Sequence, residues 1–288
     1  MASGMKKKFQ VLWRYHAGPG AVIWQMMFTG SGCLAGQKRF PESRRLLLFS
    51  VDTPSGKVLA DDCRLIDPLS SMPVGDGWLT GFEAANENLV FCHAYQADSP
   101  EHRGIWAFDP AAGSVVWGRP DIVFAAYLGN ELLVYRPSVF SGFPERHFFL
   151  VDPSNGSVKR ELGIDNPEIN DLRQNSLTEE ERQQVILPEF AGEEKRTELS
   201  LPAGSGIAAQ APCEYLETGD VKVIALHEPG TVPDTWSSAL HIFKEGCRVY
   251  HETMASASGR PAMNNFLIRG DNLYYIKEKE ELVCVSLS

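Results

Sequence analysis

The sequence predicts an all-β fold, a five-bladed β-propeller, on three observations. A hairpin recurs: residues 104–117 read as two strands around a turn in which Asp109 accepts from turn amides, Pro110 presets φ and Gly113 supplies a left-handed residue. The same turn chemistry returns at residues 51–58 and 151–158, and one supersecondary unit repeated at roughly 40 to 50 residues marks a propeller. Composition agrees, since 43% hydrophobic and 22% charged residues suit a globular chain with an ample core, and 288 residues fit one closed array, taken as a single domain over 9–288.

Each blade needs four antiparallel strands, A (innermost) to D. In blade one these are residues 21–28, 32–38, 46–51 and 57–65; blade two runs from 78–83 through 88–95 into the opening hairpin. Blade three places 122–128, a Gly129-Asn130 turn and 131–135 before the hairpin of 148–162. The pattern then stops over an insertion, residues 163–212. Between 163 and 200 it carries ten Asp and Glu against four Lys and Arg. Ser176-Leu177-Thr178-Glu179 has the form of a capping box, predicting a short helix through Ile186 that Pro188 stops. Residues 189–210 lack a hairpin turn and β-branched alternation, and are read without strands.

Strand pattern returns at 213–217 and 221–227, with 240–243 and 247–251 as a degenerate hairpin in blade four. Blade five has 263–268, 272–276 and 282–286 but no fourth strand. Residues 9–15 are predicted to supply it from the other end of the chain, removing two exposed edges.

The pattern Ala107-x-Asp109, Gly113 and Trp117 resembles quinoprotein (PQQ-like) propeller repeats. Trp13 matches Trp117, whereas Ala60 or Asp61 and Arg160 or Glu161 occupy the equivalent places in blades one and three, so tryptophan docking is expected to be irregular. Length and layout also resemble an uncharacterised bacterial family of propellers of unknown function. The resemblance implies architecture alone, because such repeats occur in enzymes and scaffolds alike. The adjacent cysteine pair and carboxylate-rich calcium site of quinoprotein dehydrogenases are missing, so no cofactor is expected.

The formal charge of −10 argues against non-specific nucleic-acid binding, which depends on neutralising phosphates. The basic start, residues 1–8, is followed by a polar-interrupted stretch rather than an export segment, and runs such as Leu46-Leu47-Leu48-Phe49 are too short to span a bilayer; a cytoplasmic protein is expected, with Met5 as its natural start. Six scattered cysteines read as reduced, small core residues, and seven histidines show no metal-binding spacing, so no metal is expected.

Function is expected on the face of the long B-to-C loops, 39–45, 96–103, 136–147 and 228–238, which the insertion shares. Three of these end alike, as Pro41-Glu42-Ser43-Arg44, Pro100-Glu101-His102-Arg103 and Pro144-Glu145-Arg146-His147. Equivalent positions on successive blades would set Arg44, Arg103 and Arg146 along an arc, with His102 and His147 as neighbouring donors, able to recognise a carboxylate or phosphate. The plainer alternative pairs each arginine with its adjacent glutamate or with the insertion. The expectation is a non-enzymatic, monomeric binding scaffold for a protein or anionic small molecule. The rival is a hydrolase acting on a sugar-like or anionic small molecule in the central channel, with Glu83 and Glu214 as acid/base groups.

Overall fold

The computed structural model describes residues 9–96, 99–164, 166–199 and 212–288; the basic start at 1–8 and the insertion's 200–211 lie outside the described residues. The chain begins with β1 (Val11–His16) and continues through twelve strands in strict meander order. The first sheet is β2 (Val22–Phe28), β3 (Cys33–Phe40), β4 (Arg45–Asp52) and β5 (Val58–Cys63). The second is β6 (Thr80–Ala85), β7 (Val90–Gln96), β8 (Ser99–Asp109) and β9 (Ser114–Arg119). The third is β10 (Val123–Tyr127), β11 (Leu132–Phe140), β12 (Phe143–Val151) and β13 (Val158–Gly163). After them come α1 (Pro167–Gln174), α2 (Glu179–Gln183), β14 (Val185–Ile186), β15 (Glu189–Phe190) and α3 (Glu193–Glu198). The remaining strands are β16 (Cys213–Thr218), β17 (Val221–Pro229), β18 (Trp236–Lys244), β19 (Cys247–Ser258), β20 (Phe266–Arg269), β21 (Asn272–Lys277) and β22 (Glu281–Ser286). The chain is therefore all-β, with several antiparallel sheets. Contacts divide it into two compact units: residues 20–183 form one, and the residues up to Pro19 and from Gln184 onwards form the other.

Within the unit 20–183, burial grades across each sheet. The run Leu46 to Val51 in β4 is buried throughout, as a continuous apolar strand covered on both faces requires, while the edge strands β5 and β13 are largely exposed. Phe91, Phe108 and Phe49 are fully enclosed, each worth about 1.5–3 kcal/mol of burial. The recurrent turn is one structure three times. Gly56, Gly113 and Gly156 donate to the carbonyls of Asp52, Asp109 and Asp152, each at 2.8 Å, and each glycine sits at positive φ. The three aspartates take the turn amides, as Asp109 Oδ1 does from Ala111 and Ala112 at 2.8 and 3.0 Å.

Two of the three turns dock on the sheet before them, by different donors. Trp117 Nε1 donates to the Pro153 carbonyl at 3.0 Å and its ring lies where a Cβ on Gly156 would fall, 2.7 Å away. At the preceding junction Ser50 Oγ donates to the Pro110 carbonyl at 2.5 Å.

The insertion departs from the sequence reading. The capping box is Thr178 with Glu181, not Ser176 with Glu179: Thr178 Oγ1 accepts the Glu181 amide at 3.3 Å, and the Glu181 carboxylate accepts the Thr178 amide at 2.8 Å. The helix stops at Gln183 rather than Ile186, because Gln184 turns left-handed at φ 54° and β14 pairs with β20. The stretch read without strands contains β15, paired with β16. Short as they are, α2, β14 and β15 work along inner strands. Gln183 Oε1 accepts the Phe28 amide of β2, Glu179 Oε1 accepts the Ala85 amide of β6 at 3.1 Å, and the Arg182 guanidinium lies over the Tyr127 ring of β10. Meanwhile α1 packs Ile169 against Leu133, Phe148 and Leu150.

In the other unit, β16 to β19 form a meander extended by β15, and β20 to β22 are flanked by β14 and β1. The N-terminal strand lies where it was expected, with Val11 opposite Val285 and Tyr15 opposite Leu282. Arg14 joins Glu281 and Glu252 at 3.1 and 3.2 Å, and Trp13 packs on Tyr274 with ring centroids 5.9 Å apart.

Candidate functional site

Two of the four segments read as long loops, 96–103 and 136–147, belong to β-ribbons. Pairing of β11 with β12 continues without a break from Leu132 opposite Val151 to Phe140 opposite Phe143, and β8 starts at Ser99. Val139, Phe140 and Phe143 are strand-favouring residues at the ribbon tip, where the prolines, serines and glycine around them suggested a loop. These ribbons wall a cavity of about 910 Å³ in the unit 20–183, lined by His102 and Arg103 from β8, Tyr135 and Arg136 from β11, and Arg146 and Phe148 from β12.

Three of the five predicted ligand residues, His102, Arg103 and Arg146, therefore meet at one cavity. Arg44 and His147 do not join them. Arg44 sits at φ 47° in the short β3–β4 turn and lines a separate cavity of about 270 Å³. His147 follows Arg146 in β12, so strand alternation turns it to the other face, onto a cavity of about 340 Å³.

The charges around the main cavity sort by partner. Asp121 is clamped by Arg119, with Nε and Nη2 at 2.7 and 2.9 Å, and by Arg136 at 2.7 Å. These guanidinium bonds, Arg119 first, outweigh burial and hold its carboxyl well below the usual carboxylate range. Arg146 lies over the Tyr135 ring, 4.9 Å from its centroid. Among the described residues neither Arg103 nor Arg146 forms a salt bridge, although Glu101 and Glu145 line the same cavity.

Beneath His102 lies a cluster that sequence spacing did not reveal. Glu83 is the extra residue of a bulge, between Phe82 opposite Cys92 and Ala84 opposite Phe91. Its Oε1 lies 2.6 Å from His102 Nδ1 and 3.0 Å from His93 Nδ1. The two imidazoles stack with centroids 3.6 Å apart and planes within 7°, and Tyr95 meets both edge-on. His93 is 1% exposed, and among the described residues neither of its ring nitrogens has a well-aligned hydrogen bond, so its 3.0 Å approach to Glu83 is an electrostatic contact. Gly81 makes room for it: a Cβ there would stand 2.5 Å from His93 Cε1 and 2.6 Å from Nε2. Burial raises the Glu83 carboxyl, but the imidazoles of His102 and His93 outweigh it and leave the group lowered; the same contact raises His102.

Glu83, His93 and His102 are a residue set that could bind a metal ion. Their arrangement fits proton sharing better. Tetrahedral donors at 2.0–2.1 Å stand roughly 3.3 Å apart and each imidazole keeps its metal in the ring plane, whereas here the oxygen–nitrogen separations are hydrogen-bond lengths and the rings are parallel. An ionised carboxylate only accepts, so the His102 proton sits on Nδ1. Nε2 is the ring nitrogen left for the cavity that His102 lines.

Glu214, the other residue of the hydrolase reading, belongs to the second unit and is 2% exposed. It forms a buried chain with His227 and Ser238: His227 Nε2 lies 3.1 Å from Glu214 Oε2 and Nδ1 lies 2.8 Å from Ser238 Oγ. The composition is that of a hydrolytic triad, but the contacts fix it as a strut. Ser238 Oγ accepts the Ala262 amide at 3.1 Å and both Glu214 oxygens accept the Asn264 amide at 2.9 and 3.2 Å, tying the 259–265 loop to β16 and β18. Ser238 and His227 are fully buried.

Comparison with known proteins gives limited company. Residues 65–117 match a family model described as a domain of unknown function, DUF4905. No curated protein matches the sequence. Among solved structures, an acylaminoacyl peptidase from Pyrococcus horikoshii aligns at 12% identity and a TM-score of 0.29 over 90% of this chain and 36% of its own. One from a study of two prolyl endopeptidases aligns at 14% and 0.34 over 93% and 34%. The β-propeller domain of the trilobed protease from Pyrococcus furiosus aligns at 11% and 0.26 over 94% and 72%. The chain thus spans about a third of the length of the first two.

Proposed function

We propose that the protein is a non-enzymatic binding module and that the cavity between the β7–β8 and β11–β12 ribbons takes an acidic group of its ligand. The observation that carries this is the pair Arg103 and Arg146, two guanidinium groups on one cavity without salt bridges among the described residues, beside His102. A carboxylate entering there gains charge-assisted hydrogen bonds that no described carboxylate already occupies. Val139, Phe140 and Phe143 at the ribbon tip are 72%, 68% and 74% exposed, offering apolar contact for a protein ligand beside the charged pocket. The repeat reading, five blades of the PQQ-like kind, belongs with this proposal. Its support is the repeated Asp-to-Gly turn and the Trp117–Pro153 docking.

The test is titration with a short oligoglutamate peptide at low ionic strength. Saturable binding that weakens with salt and is lost in the Arg103→Ala, Arg146→Ala double variant is expected. Equal binding by wild type and double variant, or none by either, overturns the proposal.

A further inference from the structure

We propose that the Glu83–His93–His102 cluster makes the cavity a proton-coupled oxyanion site, in which an anion bound by Arg103 and Arg146 is held by His102 in its doubly protonated form. The proposal rests on the reading of the cavity as an acidic-group site and adds its ligand chemistry, a compact oxyanion that accepts from two guanidinium groups and one imidazolium.

The geometry supplies the coupling. Glu83 accepts from Nδ1 of His102 at 2.6 Å, so the protein holds one face of the ring in place and leaves the second proton to Nε2, toward the cavity. Glu83 is itself locked by the bulge in β6 and by His93, whose ring stacks on His102 and is fully enclosed over Gly81. The imidazole therefore gains or loses its charge without moving. A bound anion stabilises the doubly protonated ring; by linkage, protonation strengthens anion binding by the same factor.

The charged and titratable groups facing His102 are known from each side. Glu83 comes from β6, and His93 and Tyr95 from β7. Its own strand adds Glu101 and Arg103. Across the cavity stand Tyr135 and Arg136 of β11, Glu145 and Arg146 of β12, and Asp121, already neutralised by Arg119 and Arg136. Among the described residues only Glu83 touches the ring with a carboxylate, and that contact raises the proton affinity of His102. Burial opposes the added charge, and an anion seated between Arg103, Arg146 and His102 favours it, which is what makes proton and anion depend on each other.

The probe is sulfate, whose charge is constant above pH 4, titrated by calorimetry between pH 5.5 and 8 in buffers of different ionisation enthalpy. Proton uptake on binding is expected, with affinity falling as pH rises by up to about tenfold per unit, the limit for one linked proton. His102→Gln removes the pH dependence and the proton uptake while Arg103 and Arg146 still give weak, pH-independent binding. Glu83→Gln moves the dependence to lower pH, read independently from the His102 ring resonances in NMR spectra. Sulfate bound equally across the range, or with undiminished pH dependence in His102→Gln, overturns the coupling but leaves the cavity reading standing. No sulfate binding at any pH overturns the coupling, and the oligoglutamate titration then decides the cavity reading separately.

Discussion

Gln183 and Phe28, 155 positions apart in the chain, are joined by a hydrogen bond in which the Gln183 side-chain oxygen accepts the Phe28 amide at 2.8 Å. Gln183 is 8% exposed and Phe28 2%, so this bond between the end of β2 and the insertion is made out of water. Gln183→Leu keeps the bulk and removes the acceptor. We expect a loss of about 0.5–1.5 kcal/mol, the net worth of one intramolecular hydrogen bond, measured as a lower denaturation midpoint at unchanged slope. An unchanged midpoint would show that α2 is dispensable to the 20–183 unit.

A second expectation concerns how the turns dock. Trp117 gives its indole N–H to Pro153, and Ser50 gives its hydroxyl to Pro110 while accepting the Ala60 amide. Trp117→Phe and Ser50→Ala should each cost about 1–3 kcal/mol by stranding a buried carbonyl or amide. Because the two lie at different junctions, their double variant should show additive losses. Strong non-additivity in urea unfolding would refute independent docking.

The contrast between those residues shows what was legible in the chain. Turn chemistry is local, so Asp109, Gly113 and their two counterparts could be read directly, as could the pairing of the N-terminal strand with β22. The common offset of the Pro-Glu segments ahead of a strand set Arg44, Arg103 and Arg146 as equivalent positions with His102 and His147 as neighbours, and of these Arg103, Arg146 and His102 share a cavity. Arg44 and His147 line other cavities, because a common offset does not say which way a side chain faces. The Glu83 cluster escaped because it depends on a bulge in β6, and a bulge shifts the facing of one residue without a strong mark in sequence. Gly81 opposite His93 was the available signal, since a glycine inside a strand often marks close approach by a neighbour. The insertion was misread in detail because two-residue strands have no periodicity to detect.

Gly81 gives a third expectation. A methyl group there would collide with the His93 ring, which is buried and stacked on His102. Gly81→Ala should therefore cost about 1–3 kcal/mol as an overpacked core does, and displace the ring resonances of both histidines. Gly163→Ala, at a left-handed position with open space around it, is a control that should leave those resonances alone. Unshifted histidine signals in Gly81→Ala would mean that the cradle is looser than its distances indicate.

The last expectation follows from a histidine outside the candidate site. His241 in β18 stands opposite His251 in β19, with ring centroids 4.7 Å apart. Burial first, and then the charges of His251 and Arg248, push its pKa down to about 4 from the ordinary 6.5. The sign follows from linkage. Below pH 6.5 the unfolded chain takes up a proton that the folded sheet refuses, so the neutral ring's contribution is whole above pH 6.5 and is lost as pH falls towards 4. Glu83, lowered from 4.5, loses its own contribution only at still lower pH, and His102, raised above 6.5, gains its contribution as pH falls through its folded pKa and keeps it below 6.5, so the decline between 6.5 and 4.5 is that of His241. Urea midpoints at pH 6.5, 5.5 and 4.5 should fall steadily in the wild type. His241→Gln, which cannot titrate, should have a flatter profile and overtake the wild type at the acidic end. Parallel profiles for the two proteins would place the acid sensitivity elsewhere.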